Sequence, residues 1–306
     1  MSTAGSKRAI IAALLANAGI AVAKFIGFLI TNSSSMLAEA VHSVADTSNQ
    51  GLLLWGQRQA NKAPDALHQF GWGRSRYFYS FVVALVLFTL GAAFALYEGY
   101  EKVVHPHELT SPYVAIAILV VAICLEGYSF RTAVVESRPL KGSGGWWRFI
   151  RTSRNPELPV VLLEDTGALV GLVLALAGVG LTMATGNPIW DGIGTLCIGA
   201  LLAVIAVILM IEMHSALIGE SATPAEGAAI VAALEQTENV DRLIHIKTQY
   251  LSPEELLVGA KIALPPGTDL ATVAATIDAA EVAIRAAVPA AKIIYLEPDL
   301  DRSSNA

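Results

Sequence analysis

Ile193-Gly-Thr-Leu-Cys-Ile-Gly-Ala-Leu-Leu-Ala-Val-Ile-Ala-Val-Ile-Leu-Met-Ile211 runs without one charged side chain. About 20 apolar residues of helix cross the hydrocarbon core of a bilayer, so this stretch reads as a transmembrane helix. Five more stretches reach that length, and together they place spans at about 9–31, 34–56, 78–100, 112–134, 159–184 and 188–213. Composition agrees. The 306 residues are 54% hydrophobic and 15% charged, with a mean hydropathy of +0.56, whereas a soluble domain carries about 25% charge. The net charge of −6 says little about partners because the two signs are segregated, and no long basic run suggests nucleic acid. Cys124 and Cys197 both lie in apolar stretches, which leaves no disulfide framework and no Cys-based zinc knuckle.

Lys and Arg set the orientation. Lys7 and Arg8 precede span one, and Arg58, Lys62, Arg74 and Arg76 lie between spans two and three. Arg131, Arg138, Lys141, Arg148, Arg151 and Arg154 fall at or after the end of span four, while the opposite loops hold Lys102 alone. Both termini are therefore expected in the cytoplasm. The first apolar stretch is too long for a cleaved signal peptide and lacks a cleavage signature. No transit peptide is evident, so a bacterial inner (plasma) membrane is the expected location.

Past span six the pattern changes. Residues 224–236 read as an amphipathic helix, and the apolar residues around Leu243–Ile246 and Leu256–Ile262 as two short strands. Residues 268–287 give an Ala-rich helix and Lys292–Leu296 a last strand. An αββαβ order folds with its helices on one face of a small sheet, a ferredoxin-like layer. The expected division is a six-span domain over 1–218, a cytoplasmic α+β domain over 219–300, and a tail over 301–306. Asn32–Ser35 and Gly186–Pro188 are expected as tight turns joining helical hairpins. The Gly142–Gly145 run with Trp146–Trp147 is expected as a flexible loop with an interfacial aromatic anchor.

Ionisable groups inside a bilayer cost several kcal/mol unless paired or solvated, and they mark a pathway by default. Span two holds Glu39, His42 and Asp46, followed by Asn49 and Gln50. Spacings of three and four put Glu39, His42, Asp46 and Gln50 on one helical face. Span five holds Glu164 and Asp165. A cation held between two helices by imidazole nitrogen and carboxylate oxygens suits Zn2+, although manganese, iron and cobalt accept similar sets. Metal loading needs neutral His and ionised carboxylates, so binding releases protons and protonation releases metal. Polar helix-packing contacts would explain one buried His better. They explain an i,i+4 His/Asp pair facing a second acidic pair less well.

Leu37-Ala-Glu-Ala-Val-His-Ser-Val-Ala-Asp46, Asp65-Ala-Leu-His-Gln-Phe-Gly-Trp-Gly-Arg74, six spans and an αββαβ tail together resemble the cation diffusion facilitator family. Val161-Leu-Leu-Glu-Asp-Thr-Gly-Ala-Leu-Val-Gly171 looks most like the branch that includes the mitochondrial zinc transporter of animals. The resemblance implies proton-coupled efflux of a divalent transition metal by a homodimer. It also implies an intramembrane site built from an HxxxD or DxxxD pair in each of spans two and five. His42 and Asp46 fit the first pair and Asp165 ends the second, but Val161 occupies the remaining position and cannot ligate. Glu164 is the nearest substitute, about 100° around the helix from Asp165. Gln50, Asn49, Glu126 of span four, or water are the other candidates.

Asp65 and His68 match the family's cytoplasmic-loop site, where Trp72 replaces a further histidine. In the tail, His245 and Glu297 match ligand positions, with Lys261 and Tyr295 in place of histidines; dimerisation is the tail's implied role. Gly71-Trp-Gly73 lacks the glycine pattern and lysine of a phosphate cradle and reads as a turn. His105 and His107 read as a solvated loop, His214 as a helix-end residue, and Lys24 as the partner of a site acid or a snorkelling side chain. Arg74 is expected to pair with Glu212 or Glu220. No HExxH motif or serine or cysteine nucleophile beside a histidine supports an intramembrane hydrolase, so the expectation is a transporter and not an enzyme. A membrane metal sensor or scaffold is the other class to weigh. Magnesium, which prefers six oxygens and keeps its water, fits poorly. No cofactor is expected beyond the transported metal.

Overall fold

The computed structural model describes residues 2–31, 34–106 and 111–300. Within the first two helices, the side chains of residues 2–9, 27–28, 30–31, 34–42 and 45 fall outside that description. So do the Asn32–Ser33 part of the first expected turn, His107, and the tail after residue 300.

The chain folds as two compact units, Met1–Lys62 with Ser75–His214, and Ala63–Arg74 with Ser215–Ala306. The first is helical. Its elements are α1 (Ser2–Thr31), α2 (Ser34–Ala60), α3 (Ser75–Val86) and α4 (Phe94–Val104), followed by α5 (Pro112–Lys141), α6 (Trp146–Thr152), α7 (Glu157–Thr185) and α8 (Ile189–Ile218). A π-helical segment, Leu87–Ala93, joins α3 to α4 in one continuous helix. Among the described residues, four helices are long and apolar enough to cross a membrane: Ser75–Val104, Pro112–Lys141, Glu157–Thr185 and Ile189–Ile218. In α1 the described side chains cover the apolar run Ile10–Ile26. α2 falls short because Glu39, His42, Asp46, Asn49 and Gln50 interrupt its apolar residues.

Ile10, Leu53, Val83, Leu158 and Leu209 form the fully buried centre of this unit. The outward-facing Val22, Leu29, Val173, Val204 and Ile211 are all exposed, as expected where lipid replaces water as the solvent. α4 and α8 approach through glycines. A Cβ on Gly99 would lie 2.7 Å from the backbone nitrogen of Leu196, and one on Gly199 would lie 2.8 Å from that of Leu96. This reciprocal contact is the small-residue packing that lets membrane helices touch backbone to backbone. Gly199→Val is expected to lower stability by about 1–3 kcal/mol, read as an earlier thermal transition of the detergent-solubilised protein. An unchanged transition would contradict this packing.

The Trp146–Trp147 region departs from expectation. It forms the short helix α6, not a loop, because Phe149 and Ile150 turn inward and are buried. Trp146 packs edge-on to Phe149, and Lys141 lies over the Trp146 ring at 5.3 Å. A buried ion pair also holds the unit together. Arg76 on α3 and Glu157 on α7, 6% and 1% exposed, meet with Nε–Oε1 at 2.5 Å and a second bond from the Arg76 Nη2 to Oε2 at 2.7 Å.

The second unit holds α9 (Pro224–Glu235), β1 (Arg242–Ser252), β2 (Glu255–Ala263), α10 (Leu270–Ala287) and β3 (Ala291–Asp299). The sheet order is β1-β2-β3, with β1–β2 antiparallel and β2–β3 parallel across the α10 crossover. Thr223 and Glu226 form a capping box at the start of α9, and the Tyr250 hydroxyl of β1 donates to Glu226 at 2.6 Å. Ile230, Leu234, Leu256, Ile262 and Ile284 make the fully buried core. The loop Ala63–Arg74 belongs to this unit, where Gly73 lies so close to Ser252 that no side chain would fit.

Candidate metal site

α1 packs against α2, α5 and α7, and α5 packs against α7. Between them is a cavity of about 200 Å³, lined by Asp46 of α2, Glu126 of α5, Glu164 and Asp165 of α7, and Asn17 and Lys24 of α1. Glu126, Glu164 and Asp165 are 5%, 5% and 1% exposed. Such groups are retained in an apolar bundle only where they are hydrogen-bonded, paired or used.

The three acids are held differently. Asp165 Oδ2 accepts a hydrogen bond from the buried Ser129 hydroxyl at 2.8 Å. Glu164 accepts from Asn49 Nδ2 at 3.1 Å on one oxygen and from Gln50 Nε2 at 2.7 Å on the other. Glu126 Oε2 is buried with no hydrogen-bond partner among the described residues. This sorts the candidates that the sequence left open. Asn49 and Gln50 do not line the cavity; they clamp Glu164 to α2. Glu164 therefore has both oxygens engaged, whereas Glu126 lines the cavity and its buried Oε2 accepts from no described residue. Val161 is fully buried in the apolar core and contributes nothing to the cavity.

His42 lies on α2 one turn before Asp46, but its side chain, like that of Glu39, falls outside the described residues. Among the described residues no three His, Cys, Asp or Glu side chains already form a group able to hold a metal ion.

The cavity extends from the acids to Glu98 and Lys102 of α4 and Asp191 of α8. There the Lys102 ammonium lies 3.4 Å from Glu98 and 3.1 Å from Asp191. Its wall includes Leu87 and Gly91 of the π-helical segment, a helical irregularity that recurs at functional sites.

The peripheral candidates are occupied by internal contacts. Asp65 Oδ1 accepts from the backbone N–H groups of His68 (2.7 Å) and Leu67 (2.9 Å), and Oδ2 from Trp72 Nε1 (3.2 Å). The His68 N–H beside it holds the Asp65 carboxyl below its usual pKa, and the His68 ring stacks on Trp72 at 3.7 Å. Asp65 thus closes its own loop, and Gly71, with φ of +77°, supplies the expected turn. In the sheet, Lys261 stands in register between His245 and Glu297 and pairs with Glu297 at 3.0 Å and Asp299 at 3.1 Å. Those carboxylates raise the Lys261 pKa. An ammonium therefore stands at the strand position where the family pattern would have a histidine. Glu212 accepts from Arg151 (3.3 Å) and Glu220 from the Ser215 hydroxyl (2.7 Å). His105 sits 3.1 Å from Glu101. The Arg76–Glu157 pair was not anticipated, since Arg76 in the sequence served only to orient the chain.

Residues 10–218, which contain every acid of the cavity, match the family model of the cation efflux transmembrane domain. The chain belongs to the cation diffusion facilitator family. Within the family, it is 36% identical over 224 residues to the mitochondrial proton-coupled zinc antiporter SLC30A9 of Mus musculus, covering 72% of this chain and 39% of that one. Metal tolerance protein C4 of Arabidopsis thaliana is 30% identical over 259 residues, covering 84% and 57%. The matched region thus spans well under half of the mouse relative. Among solved structures, the C-terminal domain of a MamM variant in its nickel form aligns with 26% of this chain and all of its own, at 16% identity and a TM-score of 0.25. Membership in the cation diffusion facilitator family and the membrane-length apolar helices among the described residues make this an integral membrane protein.

Proposed function

We propose that this cation diffusion facilitator protein exports a divalent transition metal ion, Zn2+ foremost, from the cytoplasm in exchange for protons by alternating access. The observation that carries the reading is the convergence of Asp46, Glu126, Glu164 and Asp165 from three helices on one cavity inside the apolar bundle. His42 and Asp46 bind the cargo from α2, and Asp165, oriented by Ser129, binds it from α7. Glu126 supplies the oxygen that Val161 lacks. Glu164, fixed by Asn49 and Gln50, lends charge to the site. Protons and metal compete for the same lone pairs, which couples their movements without any covalent step. Nothing in this scheme is enzymatic.

Six spans with both termini cytoplasmic, in a bacterial inner membrane, accord with the Lys/Arg asymmetry. A homodimer joined through the small C-terminal unit completes the assembly. Oxygen-rich ligation keeps Mn2+, Fe2+ and Co2+ as alternative cargo, and a sensor or scaffold that binds without moving metal is the rival class.

Metal-driven proton flux in proteoliposomes tests this for zinc, cobalt, iron and manganese, with Asp46→Ala as the control. Zinc flux lost in the variant supports the assignment. Flux with manganese or iron alone would replace the metal, and no flux with any metal would favour the sensor.

A further inference from the structure

Lys24 is an unusual residue to find where it is. It lies within the apolar run of α1, 6% exposed, and lines the cavity that receives Asp46, Glu126, Glu164 and Asp165. A buried ammonium is costly unless negative charge faces it, and four carboxylates across a low-dielectric cavity repel one another unless positive charge separates them. The cavity's other cation, Lys102, is paired with Glu98 and Asp191. Among the described residues lining the cavity, Lys24 is the second cation beside Lys102.

We propose that Lys24 is a tethered counter-cation of the transport site. Its ammonium neutralises the inner carboxylates when no metal is bound, and the incoming divalent ion displaces it. This rests on the cargo-site reading above and adds a determinant of affinity. Lys24 makes the metal-free protein electrically tolerable and makes the metal compete for its own ligands. Binding is weaker than four acids alone would give, and release is correspondingly faster. The lysine's reach suits the role, because a charge on a four-carbon stem withdraws without moving α1.

The test uses the full chain in detergent for zinc calorimetry and in proteoliposomes for flux. In Lys24→Gln the zinc dissociation constant is expected to fall about tenfold or more, with slower turnover at saturating zinc because release is slowed. Lys24→Arg, which keeps the charge, should bind within about twofold of wild type. A structural lysine predicts the opposite: Lys24→Gln would bind zinc unchanged or more weakly, and that result overturns the proposal. Asp165→Asn separates the two levels. If it loses zinc binding while Lys24→Gln leaves affinity unchanged, the site stands and the counter-cation falls. If Asp165→Asn binds like wild type, both fall. Should Lys24→Gln not fold, amine labelling of the wild-type protein decides. Zinc should raise modification of Lys24 several-fold relative to Lys102, and an equal rate with and without zinc refutes displacement.

Discussion

Asp165→Asn is expected to reduce zinc-driven flux in proteoliposomes by about 100-fold or more while leaving the protein folded. Residues that merely orient a metal's ligands change affinity by about 10–100-fold, and Asp165 is proposed as a ligand itself. Asparagine has nearly the same volume, so packing around a side chain only 1% exposed is preserved. What is lost is one negative charge and the lone pair that faces the cargo. Ser129→Ala serves as the graded companion. It removes the 2.8 Å hydrogen bond to Asp165 Oδ2 and should cost about 10-fold in zinc affinity with smaller effect on turnover at saturating zinc. Asp165→Asn with more than a tenth of wild-type flux would move the site elsewhere, with Glu126 the first place to look.

Arg76→Ala should be the most destabilising single change. Truncating one partner of a buried ion pair leaves the other charge uncompensated, at a cost of about 3–5 kcal/mol. Here the partner is Glu157, 1% exposed at the first turn of α7, and both of its oxygens are held by one guanidinium. Arg76→Lys should recover only part of the loss because an ammonium cannot make the two parallel bonds. The double variant Arg76→Met/Glu157→Gln should be more stable than Arg76→Ala, since it strands no charge. Thermal unfolding of the solubilised protein ranks the variants. Equal transitions for wild type and Arg76→Ala would mean the pair contributes nothing.

The contrast between these two predictions shows what the sequence made legible. Asp46, Glu164 and Asp165 stood out because a carboxylate in an apolar run is anomalous on its face, and the cavity brings all three together. Arg76 carried no such signal. It sits in a basic cytoplasmic segment where arginine is ordinary, and its partner lies 81 positions away. Only the packing of α3 near α7 reveals the pair. Glu164 was the hardest to assign. Its angle on the helix was legible, but the two amides that engage both its oxygens come from α2, and helical spacing within α7 says nothing about them. Trp146–Trp147 departs from the expected loop for a related reason: the glycines before it signal a break, while the burial that makes a helix of α6 is tertiary. The αββαβ order was legible because period-two and helical runs alternate cleanly there. That Lys261 neutralises Glu297 and Asp299 was not, because it depends on the register of three strands.

The loop Ala63–Arg74 folds with a unit whose last strand ends at Asp299. During synthesis, at roughly 5–20 residues per second, that strand follows the loop by about 10–45 s. For that interval the loop has emerged between two helices but has nothing to dock on. Gly73 meets Ser252 only once nearly the whole chain exists. The helices must therefore be inserted around a connection that stays open, and a ribosome stalled before the small domain leaves a protein whose second and third helices are joined by a loose end.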